Sequence, residues 1–206
     1  MVSKSSFELE LGEVRYFAES EATQFFWGRV PSLKLNDIAL VSGRIRPTSP
    51  VRIFVSKGAR PGDFLGNDLL LWVAREHITR IFQEGRFRGW GTFPVDVRLK
   101  GRKLGGYVGV TITGRAGPID YRRSRVRWFE NPDGSRGGIR AIDGLYFDPR
   151  NWDGSEIFAV DDAPSLPLMT PSVWQRLAKA KASNFRPRPL ASFKFGQANL
   201  VATERK

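Results

Sequence analysis

Apolar residues recur at helical spacing in two places along the chain. Between 68 and 84, Leu70, Val73, Ala74, Ile78 and Ile81 fall on one side, with His77 beside them. Glu76, Arg80 and Glu84 place opposite charges four residues apart on the other side. Asn67 or Asp68 supplies an N-cap and Gly85 a stop, so the spacing predicts a helix over about 68–84. The second is marked by Thr170 as N-cap and Pro171 at the first helical position, where a missing N–H costs nothing. Val173, Trp174, Leu177 and Ala178 then form its apolar stripe.

Elsewhere the period is two. Phe7, Leu9 and Leu11 alternate with acidic residues over 6–17, and Val51 to Val55 makes a short strand. Residues 93–129 read as an antiparallel meander. Val95, Val97 and Leu99 alternate with charges, a glycine-rich turn follows at 101–106, and Val108, Val110 and Ile112 make the next strand. Gly114 to Pro118 turns the chain, and Ile119 to Phe129 forms a third strand that ends at the turn Asn131-Pro132-Asp133-Gly134. Phe25, Phe26, Trp27, Val30 and Leu33 cluster around Pro31 as core. Ile157-Phe158 makes a short strand before the second helix, the proline-rich run 185–190 a return strand after it, and Phe193 and Phe195 a last edge. The expected class is α+β: mostly antiparallel sheet with two main helices packed on it. The 206 residues suit a single domain, with an N-terminal subregion over 1–50.

Charge changes this picture more than composition does. The net charge is +12, and residues 43–140, with twenty Lys/Arg against eight Asp/Glu, carry the whole excess. Such a block attracts anionic partners, and the preponderance of arginine favours bidentate contact with carboxylates or phosphates. There is no cysteine, which removes disulfides and thiolate metal sites and suits a reducing compartment. The first residues contain no apolar run of signal-peptide length, and the longest such run, Leu69 to Ala74, is too short to span a bilayer. The expectation is a cytoplasmic protein with no membrane partner.

Candidate chemistry is sparse. His77 is the single histidine, so there is neither a His-paired nucleophile nor a conventional zinc site. Asp148, Asp153, Glu156, Asp161 and Asp162 match no calcium loop and sit beside prolines and glycines as turn formers. Gly105, Gly106 and Gly109 lie in a hairpin, not in the strand-to-helix turn of a dinucleotide site. No catalytic residue, metal or cofactor is assigned. The most unusual surface chemistry is on the third strand of the meander. There Tyr121, Arg123, Arg125 and Arg127 share one face under period two, a cationic ladder with rungs about 6.6–6.8 Å apart. Arg98 and Lys100 in the neighbouring hairpin extend it. The ladder pairs with Asp96, Glu8 or Glu10, is simply solvated, or meets a partner.

Two segments carry a family resemblance. Trp152-x-Gly154-x-Glu156-Ile157-Phe158, the helix marked by Thr170, Val173 and Leu177, and the closing Phe185 with Pro187 and Pro189 resemble the C-terminal half of bacterial immunity proteins of polymorphic toxin systems. These include a myxobacterial group with a double CXXCG motif. Phe64 to Val97, a helix followed by Gly-x-Gly-x-Phe-Pro-Val, resembles the middle of such proteins, so the similarity spans 64–190. The chain departs from the pattern in lacking cysteine, which removes the zinc-ribbon-like embellishment, and in having Glu156 where an aspartate is usual. The resemblance implies a non-enzymatic protein that neutralises a cognate toxin by stoichiometric binding. The toxin would present an acidic surface to the basic centre. The alternative is a nucleic-acid-binding module whose arginine ladder tracks phosphates while aromatics stack on bases.

Overall fold

The computed structural model describes residues 15–19, 27–30, 36–58, 61–67 and 71–195. The predicted strand residues Phe7, Leu9 and Leu11 and the predicted core residues Phe25, Phe26 and Leu33 lie outside these. The described residues form three sheets, mostly antiparallel, and three α-helices, the expected α+β class.

The largest sheet contains β2 (Trp27–Arg29), β3 (Val51–Lys57), β4 (Phe64–Asn67), β5 (Trp72–Arg75), β6 (Trp90–Phe93), β7 (Val95–Leu99), β8 (Arg102–Leu104) and β9 (Tyr107–Ile112), ordered β6-β9-β5-β4-β2-β3-β7-β8. β6 and β7 are one run of chain broken at Pro94. The first half pairs with β9, with Phe93 opposite Gly109, and the second with β3, with Val95 opposite Val51. Proline has no N–H to give a ladder, so it stands where the pairing partner changes. Its carbonyl accepts from Val51 N at 3.0 Å. The two ends of the strand order are thereby joined through the chain, and the sheet curls into a barrel with β8 as a flap. Val51, Ile53, Leu65, Val73, Phe93 and Val97 fill the interior, and Leu40 and Val41 of the short helix α1 (Asp37–Val41) pack with them.

The barrel's outer wall carries the second core. Phe64, Trp72, Ala74, Val110 and Ile112 pack against α2 (Glu76–Glu84), α3 (Pro171–Lys179) and the five-stranded sheet. That sheet runs β10 (Gly114–Arg115), β13 (Ile157–Ala159), β14 (Leu168–Met169), β1 (Arg15–Glu19), β15 (Phe185–Pro189). Ile157, Ala159 and Met169 face the barrel, while Phe158, Val160 and Leu168 face a third core beneath β11 (Arg125–Glu130), β12 (Arg136–Asp143) and β16 (Lys194–Phe195). β13 is therefore buried on both faces, which explains why its sequence is apolar without alternation.

Three sequence expectations are corrected. Of the helix expected over 68–84, residues 68–70 lie outside the described residues, and the rest is a strand followed by a helix: Trp72 to Arg75 pairs with both β4 and β9, and the helix starts at Glu76. Leu71 to Ala74 are all buried, a run that satisfies a two-sided strand as well as a helix. The meander is also dispersed. β7 lies parallel to β3, β10 parallel to β13, and β11 pairs with β12 in a separate sheet. Finally, the third strand begins at Arg125 and not at Ile119, because Asp120 draws the preceding residues into a turn. Its carbonyl accepts from Arg123 N and Ser124 N, and its Oδ1 from Arg122 N.

The second helix, the proline-rich return strand β15 and the last edge at β16 match expectation. Thr170 stands at the N-cap, but its hydroxyl pairs with Ser172 Oγ at 2.8 Å and makes no cap bond.

Candidate binding surface

The motif behind the family resemblance is absorbed by the fold. Trp152 packs on Phe158 with ring centroids 5.4 Å apart, and its indole N–H donates to the Ser155 carbonyl at 3.1 Å. Gly154 has φ +77°, a conformation open to glycine. Glu156 Oε2 accepts from Arg88 N at 2.8 Å, and the Glu156 carbonyl from Thr170 N, so one residue ties the barrel's β6 approach to the N-terminus of α3. Phe185 joins a run of rings, Trp174–Phe185–Phe64–Trp72–Phe82–Trp90, with successive centroids 5.2–6.1 Å apart. These side chains are engaged in packing and hydrogen bonds within the fold.

Acidic residues of the same region are likewise occupied. Asp148 caps the 3-10 turn Pro149–Asn151 and holds Arg150 at 2.6 Å; these bonds lower its carboxyl pKa to about 2 and raise that of the guanidinium. Asp153 accepts from Arg115 N and Ser155 N, and Asp162 from Ile119 N. Arg115 itself is half-buried. Its guanidinium donates to the carbonyls of Ile112, Gly114 and Ser42, and burial lowers its pKa. Among the described residues no group of three or more His, Asp or Glu is placed to hold a metal.

His77 has company that the sequence does not reveal. Its Nε2 lies 3.3 Å from Asp63 Oδ1, and Ser183 donates to Asp63 Oδ2 from both Oγ (2.8 Å) and N (2.7 Å). Histidine, aspartate and serine thus meet, but with the carboxylate in the middle. A nucleophile–base relay needs the imidazole between hydroxyl and carboxylate. This arrangement instead fastens the segment after α3 to the start of β4.

The predicted ladder residues are separated by the turn and by sheet membership. Arg123 lies in the turn, stacked over Tyr146 at 4.5 Å. Arg125 and Arg127 are on β11, opposite Asp143 and Ala141; Arg125 comes within 3.9 Å of Asp143, which Lys194 approaches at 4.0 Å. The register shifts between Arg127 and Trp128, so Trp128 pairs with Ile139 and Arg140 is the extra residue. The ring of Tyr121 meets that of Trp128 at 5.7 Å. Arg98 and Lys100 belong to the barrel, not to this sheet. Arg98 Nε pairs with Asp96 at 3.0 Å, and Lys100 occupies a tight turn at φ +49°. Asp96 is shared with Arg52 at 3.6 Å, so it does not serve the ladder. Glu8 and Glu10 lie outside the described residues.

The resulting surface is the outward face of β11 and β12. Val126, Ile139 and Ile142 turn inward to the third core, and Arg125, Phe129 and Arg140 are exposed. Phe129 is 56% exposed and Tyr121 45%, and the Arg140 guanidinium lies 5.9 Å from the Phe129 ring. Period two already places Phe129 next to Arg125 and Arg127 on this face, whereas Arg140 was not legible in the sequence, because the bulge that makes it the extra residue of β12 has no signature there. No protein-family model matches the chain, and no curated protein matches it in sequence. No described helix is long and apolar enough to cross a membrane.

Proposed function

We propose that this protein works by binding a macromolecular partner, as an immunity protein that occupies and neutralises a cognate toxin in the cytoplasm of the producing cell. The observation that carries the binding part is the outward face of β11–β12. Large aromatic side chains stand in solvent there among arginines, on a sheet whose other face is anchored in a core. Aromatic and arginine anchors of this kind supply most of the energy of protein interfaces, while surrounding charges mainly speed association. The basic character of the face selects a partner with an acidic patch. The immunity part rests on the resemblance over 64–190.

The test is capture from native lysate treated with nuclease and washed at moderate salt. One protein recovered at equal stoichiometry supports the reading, and its activity in the absence of this chain identifies it as toxin. The double substitution Phe129→Ala/Arg125→Ala should weaken the purified complex by about 2 kcal/mol or more, read by calorimetry. An unchanged affinity removes this face from the interface.

A further inference from the structure

A second basic surface emerges when the barrel is read across its strands. Arg29 on β2 lies opposite Phe54 on β3, Phe54 opposite Arg98 on β7, and Arg98 opposite Lys103 on β8. These residues, at 29, 54, 98 and 103, form one row across four neighbouring strands, each step about 4.7–4.9 Å. The row is on the outside of the barrel: Val51 and Ile53 point inward, whereas Arg52 and Phe54 are exposed. Phe54 is 40% exposed and Arg29 and Lys103 are also exposed. Arg52 and Asp96 make the adjacent row. The two rows together hold four cations and one carboxylate, and that carboxylate is already engaged by Arg52 and Arg98.

We propose that this wall of the barrel binds single-stranded nucleic acid, with Phe54 as the stacking platform and the flanking cations on the phosphates. Two features select this occupant. The cations form a grid with spacings set by the strands, which suits a regularly charged backbone. At its centre stands an exposed aromatic ring, and every base offers a π-face to stack on it, without sequence preference. Acidic side chains would satisfy the charges but offer no π-face to the ring, whereas each nucleotide brings a phosphate and a base together. The surface is distinct from the β11–β12 face, and the proposal does not depend on the immunity reading.

The experiment is fluorescence anisotropy of a labelled oligothymidylate with the full chain, over a salt titration. Binding should weaken steeply with salt, and Arg29→Ala/Lys103→Ala should flatten the log–log slope by about 1.4, since each phosphate contact contributes about 0.7 on single strands. Phe54→Leu, which keeps an apolar side chain on the strand but removes the ring, should weaken binding roughly five- to 150-fold. Phe54→Trp should retain or tighten it, which separates loss of stacking from loss of fold. Arg125→Ala/Arg127→Ala should leave binding unchanged. The proposal is overturned by no binding at low salt, or by affinity indifferent to Phe54 and to the Arg29/Lys103 pair. Equally effective competition by polyglutamate at matched charge would also overturn it, assigning the wall to acidic polypeptides.

Discussion

Two glycines show how little room the centre of the molecule leaves. A Cβ added at Gly89 or Gly114 would collide with the Ile157 carbonyl oxygen and press on the Ser155 side chain. Gly114→Ala is expected to cost about 1–3 kcal/mol in urea unfolding, from overpacking alone. Gly89→Ala should cost more, because its φ of +88° adds backbone strain to the same collision. Asp148 offers a residue-scale test of electrostatics. Its folded pKa, about 2, lies below the ordinary value of 3.8 because Arg150 donates to the ionised form. The contribution is therefore present above about pH 4 and lost as pH falls through about 2. An NMR titration of the Asp148 carboxyl should place its midpoint near the lower value, and Arg150→Ala should return it toward the ordinary one. Asp63→Ala should release Ser183 from β4 and cost about 1–3 kcal/mol, seen also as faster amide exchange at Ser183.

At the scale of elements, β13 is the piece on which the others converge. Phe158 is fully buried, in ring contact with Phe147 and Trp152, on a strand whose opposite face meets the barrel-side core. Phe158→Ala should cost about 3–5 kcal/mol, the range for a large aromatic removed from a packed core. A loss under 1 kcal/mol in chemical denaturation would show that the two cores are not coupled through this strand. The neighbourhood was partly legible. The apolar Ile157-Phe158 pair announced a strand, and Pro171 fixed the first turn of the helix. The strand-and-helix pair at 72–84 was not legible as such. Leu71 to Ala74 is apolar at every position, and such a run fits a helix stripe as well as a strand buried on both faces. Pairing with β4 and β9 decided between them.

For the molecule as a whole, the basic centre of the chain is divided by the fold between two sheets. Arg125 and Arg127 lie on β11, with Tyr121 and Arg123 in the turn before it, whereas Arg98 joins Arg29 and Lys103 on the barrel wall. One charged block in sequence thus becomes two surfaces, and the substitutions named above for each should act independently. Paired substitutions on separate faces are expected to be additive in binding and stability, as for sites that share no partners. Coupling between them beyond 0.5 kcal/mol would indicate a single continuous interface.

What the amino-acid sequence determined by itself was local or summed: the α+β class, the helix that starts at Pro171, the proline-rich edge strand, the net charge and its concentration in the centre. Each depends on neighbours a few residues apart or on counting, and both survive folding unchanged. What only the tertiary structure decided was lateral. Pro94 switches one strand between two partners and closes the barrel, a bulge after Arg127 turns Arg140 outward, and register aligns Arg29, Phe54, Arg98 and Lys103. A strand's own period says which residues share its face, but which strand lies beside it, and in what register, is set by hydrogen bonds between residues far apart in the chain.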